Sequence, residues 1–181
     1  MLCVWDKLKL SDDITENLNP GMTPARQRNE FLTAQGASGT LHKYEWKYYL
    51  ATGTGTSDHF FHLMQLLTRG GSGGPVITLD AIAGNISITD LDPSRDCKNP
   101  ACPSTGLDEF EGKTTVHSVE VTYGDTDGSF KYTVTDGSKT LLTYNVTGNT
   151  GEDASIKFGT YRRVVDGMTV VRAAVGDFTG S

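Results

Sequence analysis

The feature that most constrains this chain is the period of its apolar residues. Every second position is hydrophobic in one short segment after another, and glycine or aspartate clusters separate the segments. In Leu41–Leu50, alternation puts Tyr44, Trp46, Tyr48 and Leu50 on one face. Thr115–Tyr123 and Ser129–Val134 read the same way, as do Pro75–Ala81, Asn85–Leu91, Thr140–Val146, Ala154–Arg163 and Met168–Val175. With Thr23–Leu32 and Ser57–Leu67 the pattern predicts about ten short strands. Turn signals fall between them at Gly70–Gly74, Ala83–Asn85, Asp125–Gly128, Asp136-Gly137 and Asp166-Gly167. Only Asp12–Leu18 has the pattern of a short helix. No repeat or linker divides the chain, so the expectation is one all-β domain over residues 1–181. Its architecture would be a β-jelly roll sandwich of two antiparallel sheets with a concave substrate cleft.

Charge bounds the partners. The 181 residues carry 16 Lys+Arg against 22 Asp+Glu, a formal charge of −6. That balance argues against general binding to nucleic acid or an anionic membrane surface, and no apolar run is long enough to span a bilayer. A local basic cleft remains compatible with it. Cys97 and Cys102 flank four residues in a loop rich in Pro, Asp and Ser. That spacing allows a local disulfide, and the loop lacks the further ligands a metal would need. The sequons Asn85-Ile-Ser87 and Asn145-Val-Thr147 add to the expectation of a secreted, monomeric glycoprotein. Met1-Leu-Cys-Val-Trp-Asp-Lys7 lacks the apolar run of a secretory signal. The start therefore reads as a mature or truncated boundary, and Cys3, with no evident partner, fits a chain lacking some N-terminal sequence.

Three segments could carry chemistry. In Thr23–Leu32, alternation groups Arg26, Arg28 and Glu30 on one face. Two guanidiniums and a carboxylate suit an anion-binding cleft with Glu30 holding an arginine; the plain alternative is a solvated strand face. In Ala154–Arg163, Lys157, Gly159 and Tyr161 share a face, so the glycine leaves a notch for a ligand and the lysine favours the tyrosine phenolate. The alternative is an ordinary exposed strand. In Ser57–Leu67 the polar residues are His59, His62 and Gln65. Strict alternation puts His62 and Gln65 on opposite faces, and a single polar group there is most simply a hydrogen-bonded core residue. His117 alternates with Val119 and Val121 and belongs to the core. Asp125, Asp127 and Gly128 hint at a calcium loop but are more simply a hairpin turn.

In order, these segments resemble the three strand motifs of jelly-roll polysaccharide lyases. Arg28-Asn-Glu-Phe31 resembles the Arg-[Ser/Thr]-Glu-Leu strand of family 7 alginate lyases, and Lys157-Phe-Gly-Thr-Tyr161 resembles their Lys-Ala-Gly-Val-Tyr strand. His62-Leu-Met64 stands where that family has Gln-[Ile/Val]-His. The family's catalytic histidine thus falls at Met64, leaving His62 and Gln65 as the polar candidates. The chain is also similar to fungal glucuronan lyases of family 20.

The resemblance implies cleavage of an anionic, uronate-containing polysaccharide of glucuronan or alginate type by β-elimination. Tyr161 would then be base, acid or both, with His62 assisting or replacing it. Arg28 and Gln65 would neutralise the sugar carboxylate, while Arg26, Lys157, Glu30 and Arg163 bind substrate. No cofactor is required, although the resemblance admits a structural calcium. Two other functions compete. A sandwich glycoside hydrolase would need two facing carboxylates, for which Glu30 and Glu120 are the strand candidates. A non-catalytic carbohydrate-binding module would use Trp46, Tyr48 and Tyr49 as a stacking platform.

Overall fold

The computed structural model describes residues 5–70 and 73–181. Cys3 and the centre of the Gly70–Gly74 turn lie outside the described residues. Twelve strands are described, two more than the alternation predicts: β1 Trp5–Leu10, β2 Arg26–Leu32, β3 Leu41–Leu50, β4 Phe61–Thr68, β5 Pro75–Ile82, β6 Asn85–Asp90, β7 Ser104–Gly106, β8 Thr114–Thr122, β9 Gly128–Asp136, β10 Lys139–Gly148, β11 Ala154–Arg163 and β12 Val171–Gly180. β7 is too short for a period to show. In β1 only Leu8 and Leu10 are buried, at the end of a mostly exposed strand. Asp12–Leu18 forms turns instead of a helix, and Leu18 bridges to Gln27. The helical element among the described residues is a single 3-10 turn at Leu107–Glu109.

The strands form two six-stranded antiparallel sheets, ordered β1-β12-β3-β8-β9-β10 and β2-β11-β4-β5-β6-β7. The chain's first and last strands lie side by side, and β2 pairs with β11 across more than a hundred residues of sequence. This is the β-jelly roll predicted from the alternation. The expected inward stripe of β3 is buried: Tyr44, Trp46, Tyr48 and Leu50 all face the second sheet. Trp46 stacks on Phe158 of β11, with ring centroids 4.5 Å apart. Trp46 and Tyr48 are fully buried, so they cannot form a sugar-stacking platform.

His117 lies in this core. It stacks on Trp46 and hydrogen-bonds the Tyr132 hydroxyl at 2.6 Å and Thr115 Oγ1 at 2.9 Å. Burial pushes its pKa down to about 3. Cys97 and Cys102 form the expected disulfide, in the connection from β6 to β7. Arg95 anchors that loop by donating to the buried Asp90 carboxylate at 2.6 and 3.0 Å, and the Tyr144 hydroxyl donates to the same carboxylate at 2.8 Å.

Candidate active site

The core face of the second sheet is built mainly from apolar residues such as Leu63, Met64, Ile77, Leu79, Ile86 and Phe158, and most of its polar candidates are turned to the outer face. β2, β11, β4 and β5 lie side by side there. The register sets Arg28 opposite Tyr161, Tyr161 opposite His62, and His62 opposite Asp80. All three candidate segments therefore meet, with β11 in the middle.

Two irregularities make the site. The β4–β5 ladder shifts between His62 and Met64, and the β11–β4 ladder shifts between Phe158 and Tyr161. A bulge adds a residue to one strand and reverses the facing of everything beyond it. His62 and Gln65, expected on opposite faces, consequently share the outer face. His62 Nδ1 pairs with Asp80, and Gln65 Nε2 donates to Glu30 Oε1 at 2.7 Å. Met64, which the sequence resemblance sets where alginate lyases carry a histidine, is fully buried in the core.

The hydroxyl of Tyr161 accepts a hydrogen bond from Arg26 Nη1 at 2.8 Å. The rings of His62 and Phe60 lie 5.6 and 5.2 Å from the Tyr161 ring, the Arg28 guanidinium 6.0 Å away and Lys157 Nζ 5.0 Å away. Lys157 was expected to serve the tyrosine hydroxyl. Its ammonium instead pairs with Glu30 Oε2 at 2.8 Å, and Arg26 is the cation that touches the hydroxyl. Glu30 in turn holds Lys157 and Gln65 in place of an arginine. Its side chain is only 1% exposed. Burial pushes the Glu30 carboxyl above the ordinary carboxylate range, and Lys157 opposes this.

Arg26 and Arg163 are directly opposed in the β2–β11 register, and the Nε of each is buried without a hydrogen-bond partner among the described residues. Like charges facing each other across a ladder repel, so the pair is set up to receive an anion. Arg163 Nη1 also lies 3.5 Å from His59 Nδ1. It borders a pocket of about 110 Å³ lined by Thr56, Ser57, Phe60 and Met168. Arg162 points inward, on the same face of β11 as Ile156 and Phe158. It is 4% exposed and donates to Gln27 Oε1 and to the carbonyls of Ser11 and Thr169. Desolvation lowers its pKa to about 10. Gln27 completes this knot by donating to the carbonyls of Ser11, Asp13 and Glu16.

Gly159 does not make room for a ligand. A Cβ there would lie 2.6 Å from the Asn29 carbonyl oxygen and 2.7 Å from Glu30 Cα, so the glycine lets β2 pack closely onto β11. Its φ of +141° also disfavours other residues.

The sequence reading missed Asp80, which is 2% exposed. It accepts from Thr78 Oγ1 as well as pairing with His62 Nδ1. An acid in the apolar run Pro75–Ile82 was the available signal, since a buried carboxylate needs a partner. With Nδ1 turned to Asp80, Nε2 is the ring nitrogen left to accept a proton.

Among the described residues no group of three or more His, Cys, Asp or Glu side chains converges to hold a metal. Asp125 accepts from the Glu152 backbone amide at 2.8 Å. Glu30 and Glu120 lie in different sheets, Glu120 3.4 Å from Lys43, so they cannot flank one glycosidic bond.

Neither a scan against protein-family models nor a search of curated proteins found a match. Solved structures do resemble it. A family 7 alginate lyase with bound substrate has a TM-score of 0.66 at 12% identity, covering 97% of this chain and 76% of that one. A family 18 polysaccharide lyase has a TM-score of 0.59 at 13% identity, over 97% of this chain and 87% of its own. The catalytic domain of a family 131 β-glucanase from Podospora anserina has a TM-score of 0.60 at 11% identity, over 98% and 71%. The class defined is the antiparallel jelly-roll β-sandwich. More particularly, the chain has the jelly-roll fold of the alginate lyases, a fold also used by a glucanase.

Proposed function

We propose that this protein is a polysaccharide lyase that cleaves a uronate-containing chain by β-elimination at Tyr161. One observation carries the reading. The Tyr161 hydroxyl, bonded to Arg26, lies among guanidiniums that no carboxylate of the described residues neutralises, and beside a histidine held by a buried carboxylate. The similarity to alginate lyases, one of them with substrate bound, supports it at the level of fold.

The C5–H of a uronate is a weak acid, and its removal builds negative charge onto the adjoining carboxylate. Preorganised cations stabilise that charge in the transition state. Arg28, Arg26 and Arg163 can meet the carboxylate, since no carboxylate among the described residues pairs with them. A base takes the C5 proton; the C–H electron pair becomes the C4=C5 double bond, the C4–O bond breaks, and O4 leaves with a proton. Tyr161 is positioned to exchange a proton at its hydroxyl, where Arg26 donates to the oxygen that carries charge after deprotonation. His62 Nε2 is a second proton acceptor on the same face, oriented through Nδ1 by Asp80. Gln65 and Lys157 enter through Glu30, which fixes both beside the tyrosine. The disulfide and the exposed asparagines of both sequons fit an oxidising, extracellular setting.

Hydrolysis has less support. The carboxylates on this face, Glu30 and Asp80, are buried and already engaged by Lys157 with Gln65 and by His62 with Thr78. The test is incubation with a panel of polyuronates, following the ultraviolet absorbance of the unsaturated uronate. Tyr161→Phe should lower the rate about 100-fold or more, with an unchanged urea midpoint. New reducing ends without that absorbance would establish hydrolysis instead, and binding without either product would leave a carbohydrate-binding module.

A further inference from the structure

We infer that the outer face of the second sheet is divided by charge: the sugar over β2 and β11 is recognised as a uronate, and the sugar over β5–β7 as an uncharged hexose. The substrate class is then a polymer in which uronate is joined to neutral sugar, in place of a homopolyuronate. This deepens the lyase reading and rests on it.

The pairing registers join into one row across the whole sheet: Arg28, Tyr161, His62, Asp80, Ser87, Ser104. Strands are about 4.8 Å apart, so a glycan laid along this row meets a new strand with roughly each ring. The row changes character halfway. β2 and β11 contribute Arg26, Arg28 and Arg163 to the outer face, with Lys157 beside them neutralised by Glu30. β4, β5, β6 and β7 contain no lysine or arginine at all. Beyond His62 the outer face presents Ser87 and Thr89 of β6 and Ser104 of β7, all at least partly exposed. These are hydroxyl groups that match sugar hydroxyls and cannot neutralise a carboxylate.

The connection from β6 to β7 does not supply the missing charge. Arg95 is buried on Asp90, and Lys98 pairs with Asp96.

Asp80 adds an independent observation. Its carboxylate lies in the row between the histidine and the hydroxyl strip, engaged by His62 and Thr78 and by no lysine or arginine. A uronate bound over β5 would set a second negative charge against it in a partly dehydrated site, where like charges repel strongly. A neutral ring there meets no such opposition. The cut therefore falls at a uronate whose neighbour on the β5 side carries no carboxylate.

The experiment compares kcat/KM on homopolymers of glucuronate, mannuronate and guluronate with kcat/KM on polymers alternating a uronate with a neutral hexose. Mass spectrometry of the products reads the sugar on each side of the broken bond. The expected result is at least fivefold preference for the alternating polymers. Ser87→Lys, and separately Thr89→Lys, should shift that preference toward homopolyuronates by about two- to fivefold, the scale of an exposed ion pair. Equal or better cleavage of homopolyuronates, or an unshifted ratio in both folded variants, overturns the inference and leaves the lyase reading standing. Absence of unsaturated product on every polymer overturns the lyase reading and the inference together.

Discussion

Acid should destabilise this fold through one core residue, His117. Its ordinary pKa of 6.5 falls to about 3 on burial. Between those values the unfolded chain binds a proton that the folded chain refuses. His117 therefore contributes stability that is fully present above pH 6.5 and is lost as pH falls toward about 3. One pKa unit corresponds to about 1.4 kcal/mol, so two units of acidification, from pH 6.5 to 4.5, should remove about 2–3 kcal/mol. That is a large part of the margin of an ordinary domain. The perturbation is His117→Gln, which keeps polar atoms near Thr115 and Tyr132 but cannot titrate. Urea unfolding of both proteins at pH 7.5 and pH 4.5 gives four free energies. The wild type should lose about 2–3 kcal/mol more than the variant over that interval, whatever the variant's stability at pH 7.5. Equal losses would refute the reasoning and move acid sensitivity to other groups. The result also bears on activity, because a rate that falls below pH 5 reports unfolding unless the His117→Gln protein shows the same fall.

Asp80→Asn should leave His62 without its carboxylate and free its tautomer, lowering turnover about 100-fold or more with a changed pH profile and little loss of substrate binding. An unchanged profile would remove Asp80 from the site. Gly159→Ala should force β2 away from β11, costing roughly 2–4 kcal/mol from strain and overlap, read as a fall of about 4–16 °C in melting temperature; an unchanged Tm would mean the strand yields freely. Arg95→Ala should strip the buried Asp90 of its cation and cost about 3–5 kcal/mol, measured by urea unfolding. A loss below 1 kcal/mol would show that Tyr144 alone satisfies the acid.

The sequence by itself determined ten of the twelve described strands, the core faces and most of the turns. Alternation is a local consequence of the extended backbone, so Tyr44, Trp46, Tyr48 and Leu50 could be assigned inward from their order alone. The Cys97–Cys102 disulfide is likewise short-range. Arg26, Arg28, Lys157 and Tyr161 were correctly grouped within their own strands for the same reason. Tertiary structure decided what those groups touch. A β-bulge, invisible to a period count, brought His62 and Gln65 to one face. Lys157 chose Glu30 over the tyrosine hydroxyl, and Gly159 proved to be space for β2, because both depend on a strand more than a hundred residues away. Arg162 faces inward by alternation with Ile156 and Phe158, but its partners, the carbonyls of Ser11 and Thr169, come from distant segments. Backbone sterics set the facing of a residue within its strand, but its partner is set by register, and register belongs to the whole sheet.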